Sequence, residues 1–148
     1  MRAVALSVAV CLLAGATAMA LSYEPGIYSA GKQKKGTGVT LNIEPGYLTV
    51  RRIGFVEHCT GPSHAFDEPV SFVEGSSASL AGPINKHGRF SERYASGGSV
   101  FKVKGHVSGT IATITGTEHG SFDRDGETLS CHGSQTFKAH ASLTTGGR

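Results

Sequence analysis

The chain is 148 residues long and carries 14 Lys and Arg against 11 Asp and Glu, a formal net charge of +3. This length suits one domain with one hydrophobic core. So small a charge excess, spread along the chain, argues against a nucleic-acid binder, which usually concentrates basic residues on one element or face. The 21 glycines and 2 methionines suit short strands joined by tight turns and are a poor composition for a helical bundle.

The first twenty residues have the features of a secretory signal peptide. A lone Arg2 precedes an apolar run over residues 4–13, and small residues close the segment at 18–20. The run is too short to cross a bilayer as a stable helix, and no later segment resembles a membrane span. The sequence therefore predicts removal of residues 1–20 and a secreted, extracellular or cell-envelope-associated protein with no membrane span.

The cysteines fit an oxidising compartment. Cys11 lies in the predicted signal, which leaves Cys59 and Cys131 of the three cysteines. An even pair in an exported chain predicts a disulfide, with two buried thiols as the alternative. The bridge would close a loop of roughly 70 residues, for which loop entropy gives about 4 kcal/mol of stabilisation. A metal site is disfavoured, because the chain has no C-x-x-C or H-x-x-x-H spacing.

After residue 20 the chain alternates apolar and polar residues in short runs separated by turn signals, which is the pattern of β-strands. The predicted strands, in chain order, are 26–29, 39–44, 47–59 and 69–73, a short hairpin pair within 84–90, and longer strands over 101–107, 110–116 and 128–139. The predicted turns are Pro45-Gly46, Lys86-His87-Gly88, Ser96-Gly97-Gly98 and 123–126. A bulge at Arg51-Arg52 would let the apolar residues after it resume on the inner face. Residues 60–67 and 76–79 are predicted to be irregular connections.

This spacing of about eight or nine short strands is typical of a sandwich. We therefore predict one all-β domain over residues 21–143, a single antiparallel β-sandwich, followed by a flexible tail at 144–148. An up-and-down β-barrel of the lipocalin or avidin type is the alternative fold.

Side-chain alternation predicts which residues face the core. Along the last strand, Cys131 shares the inner face with Leu129 and Phe137. Cys59 has the same parity as Glu57 and the apolar residues before it, so one side chain of that set is expected to turn outward near the strand end. A disulfide would then join a mid-chain strand to the last strand.

A series of glycines, aromatic and apolar residues and cysteines runs through the predicted domain. It consists of Gly26, Tyr28 and Gly31, then Val39-x-Leu41-x-Ile43, Gly46-x-Leu48 and Cys59, then Gly88-x-Phe90, Val103-x-Gly105-x-Val107, Gly109-Thr110 and Cys131. This series resembles small secreted two-cysteine all-β domains of actinobacterial-type hypothetical proteins, a bacterial group without an assigned activity. The resemblance implies an all-β fold and a disulfide, and it transfers no catalytic residue. The chain departs from the group by Ala30 before the last glycine of the opening and by the absence of Trp.

Two of the seven histidines flank the cysteines, as His58-Cys59 and Cys131-His132. If the disulfide forms, the two imidazoles could sit together on the outer face, and they could then bind a metal or gain charge together as the pH falls. Two ligands fall short of a metal site, and spacing places no third. The favoured interpretation is two exposed polar residues on a solvated sheet face.

Other candidate sites are weaker than their structural alternatives. The segment Asp123-x-Asp125-Gly126-Glu127 lacks the further oxygen ligands of a calcium loop and predicts an acidic β-turn. No G-x-S-x-G elbow marks a hydrolase, and nothing fixes Glu118 relative to Glu127 as a pair for glycoside cleavage. With no Trp and only 4 Tyr, the chain is also a poor candidate for stacking on sugars.

The sequence predicts no catalytic residue, no cofactor and no metal ligand, and hence no enzyme. We expect a non-catalytic interaction or structural module of the extracellular space or cell envelope. Its partner would be an extracellular protein or an envelope component, and not a nucleic acid. The basic run 32–35 predicts a solvated loop, with contact to an acidic envelope polymer as the alternative. The alternative function is a small secreted enzyme, or a metal- or ligand-binding protein that uses surface histidines.

Overall fold

The computed structural model describes residues 21–32, 36–75 and 80–142. The predicted signal, the connection at 76–79, the tail at 144–148 and residues 33–35 of the basic run lie outside the described residues. Within the described ranges the chain forms nine strands and no helix, so the prediction of an all-β domain is confirmed. The strands are β1 (Gly26–Ala30), β2 (Gly38–Glu44), β3 (Tyr47–Thr60), β4 (Ala65–Val73), β5 (Ala81–Pro83), β6 (Arg89–Ser96), β7 (Ser99–Ser108), β8 (Ile111–Arg124) and β9 (Glu127–Ser142). No helix in these ranges is long and apolar enough to span a membrane.

The strands form one antiparallel sheet in the order β4-β3-β2-β1-β9-β8-β7-β6. β5 lies off this path and pairs with the start of β3. The end of β3 also pairs with β9, so the pairings β3–β2, β2–β1, β1–β9 and β9–β3 make a closed circuit. The sheet therefore folds over on itself around the core, consistent with the sandwich-like arrangement predicted from the sequence.

The predicted bulge in β3 is present. Thr40 of β2 is opposite Arg52, but the next residue, Leu41, is opposite Val50, so Arg51 has no partner in β2. One extra residue in one strand shifts the alternation of side chains by one position. Ile53 and Phe55, which follow the bulge along β3, are consequently buried.

Two-residue turns set the register of the last four strands. The turns that join β6 to β7, β7 to β8 and β8 to β9 are, in that order, Gly97-Gly98, Gly109-Thr110 and Asp125-Gly126. In the last of them, Asp125 has φ of 52° and Gly126 has φ of 82°, the left-handed conformations that tight hairpins require. A turn of fixed length determines which residues face each other along the whole hairpin. The predicted turns at 96–98 and 123–126 are confirmed.

Two local predictions are wrong. The predicted irregular connection at 60–67 is shorter than expected, because residues 65–67 already belong to β4 and pair with the end of β3. The predicted hairpin within 84–90 does not form, since β5 pairs with β3 and places Gly82 opposite Leu48. The first part of β3 has an edge free for β5 because β4 pairs with β3 only from Arg52 onward.

The core lies on the inner face of the folded sheet. Its largest fully buried side chains are Tyr28, Phe55, Leu41, Ile43, Leu48, Ile53, Leu80, Ile114 and Leu129. The Tyr28 hydroxyl lies 2.6 Å from the carbonyl oxygen of Glu24 and 2.9 Å from that of Gly109, and it shares its proton between them. This contact satisfies the one polar atom of a buried side chain and ties the start of β1 to the β7–β8 turn.

Substitution of Tyr28 by Phe is expected to lower the free energy of unfolding by about 1 kcal/mol, because the partly buried hydrogen bonds from its hydroxyl to the carbonyl groups of Glu24 and Gly109 are lost. Urea denaturation followed by circular dichroism measures the change. Tyr47→Phe is the matched control, since Tyr47 is 47% exposed. Equal stability of the two variants would contradict the proposed role of the hydroxyl.

Candidate functional site

The predicted disulfide between Cys59 and Cys131 is present and joins β3 to β9. The two cysteines are directly opposite in the strand register, and their Cα atoms are 4.0 Å apart. Leu129 is buried beside the bridge, and the partly buried rings of Phe66 and Phe122 pack against it as a small second core. The bridge therefore fixes the pairing between the end of β3 and the first part of β9.

The residues adjacent to the bridge form a row of titratable side chains on the outer surface. The row crosses β4, β3, β9 and β8 in that order. Its residues, each directly opposite the next, are Asp67, His58, His132 and His119. All four are exposed, and we call this set the histidine row. The ring centroids of His58 and His132 are 5.9 Å apart in an edge-on arrangement. The structure brings these two imidazoles together, and His119 is a third one that the sequence analysis missed.

The neighbouring register position carries carboxyl groups on the inner surface. Across the same four strands, the inner row consists of Glu68, Glu57, Gly133 and Glu118. Gly133 has no side chain, so the carboxyl groups of Glu57 and Glu118 can meet over β9. A Cβ at Gly133 would lie 3.0 Å from Cβ of Glu57, closer than ordinary van der Waals contact. Glu57 is 6% exposed and Glu118 is 3% exposed. The expectation that one side chain of the Cys59 set turns outward is therefore wrong, because Glu57 stays inside and binds another carboxyl group.

The environment of Glu57 favours its neutral form. Burial raises the pKa of Glu57 to about 8, and the hydrogen bond with Glu118 and the charges of Glu118 and Glu68 add to the rise. Glu57 is therefore mostly protonated at neutral pH and donates its O–H to Glu118. The Oε2 atom of each of these two carboxyl groups has no hydrogen-bond partner among the described residues. The sulfurs of Cys59 and Cys131 lie close to Glu57 and Glu68, but a disulfide offers no thiolate to a metal ion.

The outer face of the last four strands carries a dense set of basic and hydroxyl side chains. Three successive rows, each crossing β6, β7, β8 and β9, are Arg89-His106-Thr113-Lys138, Ser91-Lys104-Thr115-Thr136 and Arg93-Lys102-Thr117-Ser134. We call these twelve residues the cationic face. Five of them are Lys or Arg, and none is acidic or apolar. The hairpin register thus gathers on one face basic residues that are spread along the sequence.

The positive charges of the cationic face are not neutralised within the described part of the chain, where no Lys or Arg of the face forms an ion pair. Arg93 and Lys102 are directly opposite each other, a like-charge pair that destabilises a sheet. Outside the face, the chain from residue 21 onward has eight Lys and Arg against eleven Asp and Glu. An open groove of ≈ 490 Å³ lies on the face, and its lining includes Arg89, Lys104 and Thr113.

A serine, a histidine and a glutamate contact one another near the β8–β9 turn. The Nδ1 atom of His64 is 3.0 Å from Oγ of Ser63 and 3.1 Å from Oε2 of Glu127, and Ser63 Oγ donates to Oε1 of Glu127. A catalytic relay needs the serine on one ring nitrogen and the acid on the other. Here one nitrogen contacts both groups, and the serine proton goes to the carboxylate. These hydrogen bonds lower the pKa of Glu127, and the cluster links the β3–β4 connection to β9.

Asp123, at the β8–β9 turn, also accepts a hydrogen bond from a neighbouring residue. Thr128 Oγ1 donates to Oδ1 of Asp123 over 2.7 Å. Because Glu127 is engaged by Ser63 and His64, the turn does not present its carboxylates as one oxygen cluster. The prediction of an acidic β-turn is confirmed.

Two groups missed by the sequence analysis have recognisable signals in the sequence. A two-residue turn at Asp125-Gly126 places residue 119 opposite residue 132, so the hairpin register alone locates His119 beside His132. The same register, with the inward parity of Ile114, places Glu118 in the interior. The contact of Glu118 with Glu57 needs the long-range β3–β9 pairing, which no local signal specifies.

Comparisons with protein-family models, with curated protein sequences and with solved structures find no match to this chain. The resemblance to secreted two-cysteine domains therefore stays a prediction.

The buried pair makes stability depend on pH. Because the pKa of Glu57 is raised in the folded state, the folded protein holds a proton that the unfolded chain releases. The pair's contribution is fully present below about pH 4.5 and is lost as the pH rises towards 8, by at most about 1.4 kcal/mol per pH unit. Glu57→Gln keeps a hydrogen-bond donor without titrating, and we expect it to flatten the fall in unfolding free energy between pH 5 and pH 8.

Urea denaturation at several pH values measures this slope. Glu74→Gln is the control, since Glu74 is exposed and we expect its variant to keep the slope of the wild-type protein. An unchanged slope in Glu57→Gln would contradict the assignment of the titrating group.

Proposed function

We propose that the protein is an exported, non-catalytic binding module, and that its cationic face binds an acidic polymer of the extracellular space or cell envelope. The observation that carries this proposal is the array of five Lys and Arg side chains with no acidic residue among the twelve positions of the face. Unpaired cations on one face attract polyanions and raise their local concentration.

The composition of the face favours an anionic ligand over a purely structural role. Opposed cations such as Arg93 and Lys102 weaken the sheet, so their placement does not serve stability. The hydroxyl groups between the cations supply neutral donors for phosphate, sulfate or carboxylate oxygens. Charged donors give the shorter and stronger hydrogen bonds to such groups.

The extent of the face favours a polymer over a small anion. Four strands with a spacing of about 4.8 Å and three rows of residues cover an area of roughly 14 Å by 14 Å. Four of the five cations lie on β6 and β7 and the fifth, Lys138, lies on β9, and the groove on the face is open. A chain of repeated anionic groups can contact several of these cations at once, which multiplies weak individual contacts.

Other ligand classes fit the face less well. None of its twelve residues is Phe, Tyr or Trp, so it lacks the large stacking platforms that neutral sugars and single-stranded nucleic acids require. An enzyme is disfavoured because the Ser63, His64 and Glu127 contacts do not form a relay. Export is supported by the disulfide, which persists in oxidising compartments, and by the predicted signal.

Replacement of Lys102 and Lys104 by Gln is expected to weaken binding of the oxidised protein to a polyanion about tenfold, because each exposed charge contact contributes up to about 1 kcal/mol. Heparin and polyphosphate are the probes, and titration calorimetry at low salt measures the dissociation constants. The wild-type affinity should fall as salt is raised, and the variant should show a smaller dependence on salt.

Lys32→Gln with Arg51→Gln is the matched control. It removes the same net charge from exposed positions outside the face and should leave binding within about twofold of wild type if the contacts are local. Equal weakening by both double variants, or no binding of either probe by the wild-type protein, would overturn the proposal. Removal of Lys102 should not lower stability, since it relieves the repulsion with Arg93.

A further inference from the structure

The histidine row has a geometry that the proposed polyanion binding does not use. We propose that it is a binding site for one divalent transition-metal ion, with His58, His132 and His119 as ligands and Asp67 as the residue that orients His58. The three imidazoles occur at one register position on three adjacent strands. His132 is the central ligand, because β9 lies between β3 and β8.

The distance between the ring centroids of His58 and His132 is close to that of two imidazoles that bind the same ion. Their ring centroids are 5.9 Å apart. Two imidazoles that bind one ion through nitrogens about 2.0–2.1 Å from it have centroids about 5 Å apart. A small rotation of two exposed side chains is therefore enough to bring His58 and His132 to a common ion.

Asp67 prepares His58 for metal binding. The Nδ1 atom of His58 lies 2.7 Å from Oδ1 of Asp67. An ionised carboxylate can only accept a hydrogen bond, so Nδ1 of His58 carries the proton. In the neutral ring Nε2 then has a free lone pair. A carboxylate that holds the far nitrogen of a metal-bound histidine is a recurring arrangement, and it fixes both the tautomer and the orientation of the ring.

His119 completes the set of three. The rings of His119 and His132 form no hydrogen bond with other residues of the described ranges, and both side chains are exposed. The positions beside them on the outer face of β8 and β9 carry Thr117, Ser121, Ser130 and Ser134. These small side chains leave room for the ring of His119 to turn towards His132.

The disulfide makes the site rigid. Cys59 follows His58 and Cys131 precedes His132, and the two cysteines are bonded to each other. The backbones of two ligands are therefore held at a fixed separation before any ion binds. A preorganised set of ligands loses less conformational freedom on binding than a flexible one.

The chemistry of the row selects the class of ion. Neutral imidazole suits Zn²⁺, Cu²⁺ and Ni²⁺, whereas Ca²⁺ and Mg²⁺ prefer oxygen ligands. Three protein ligands leave a coordination position open for water or another small molecule. The nearest cation of the adjacent row, Lys102 on β7, is the diagonal neighbour of His119 on β8, roughly 7–8 Å away. This is about one Debye length at physiological salt, so screening reduces its repulsion of the ion.

Titration of the oxidised, full-chain protein with Zn²⁺, followed by isothermal calorimetry, tests the proposal. The wild-type protein is expected to bind one Zn²⁺ per chain through this site. His132→Ala should weaken binding at least a hundredfold, since it removes the central ligand. His140→Ala is the control, because His140 is an exposed histidine of β9 outside both the histidine row and the cationic face, and its variant should bind as wild type.

Two further variants keep the test decisive. His119 lies on β8, outside the β3–β9 pairing. The variant His119→Ala therefore tests Zn²⁺ binding even if His132→Ala disturbs the fold. Asp67→Asn should weaken Zn²⁺ binding about tenfold or more without changing the circular dichroism spectrum of the free protein, as expected of a positioning residue. Absence of one-to-one binding by the wild-type protein, or equal affinity in wild type and His119→Ala, would overturn the proposal.

Discussion

The pairing of the end of β3 with β9 is the constraint on which the rest of the structure depends. It closes the circuit of strands through β2 and β1, and the bond between Cys59 and Cys131 holds it covalently. Only four residues of each strand take part, so hydrogen bonds alone would form a short ladder. The covalent bond removes the possibility of a register slip, which in a two-faced strand would exchange inner and outer side chains.

In this short ladder, two kinds of titratable side chain lie on opposite faces of the sheet. Successive residues of a strand point to opposite faces, so the glutamates beside Gly133 lie inside while His58, His132 and His119 lie outside. Burial keeps the carboxyl group of Glu57 mostly protonated at neutral pH, whereas exposure leaves the imidazoles in contact with solvent and its ions. The same strand register thus places acidic side chains in the interior and imidazole side chains on the exterior.

Much of the fold follows from local signals in the sequence. Alternation identifies the strands, the bulge at Arg51 follows from the interrupted alternation, and the glycine turns mark the hairpins. Those turns also determine which residues form the cationic face, because a two-residue turn fixes every opposite pair of residues in its hairpin. The pairing of β5 with β3 and the contact of Glu57 with Glu118 could not be predicted in this way. Both depend on strands far apart in sequence, whose meeting is decided by the free edges and the packing of the whole sheet.

The position of β9 after all the other described strands has a consequence for the order of folding. β9 pairs with β8, β1 and β3, so three separate ladders wait for it. The hairpins from β6 to β8 can form locally and early, whereas β1 pairs with residues more than a hundred positions later and β3 with residues about seventy positions later, a slow and non-local step. One edge of β1 and one edge at the end of β3 therefore stay unpaired until β9 has been synthesised, and the bond between Cys59 and Cys131 can form only after that.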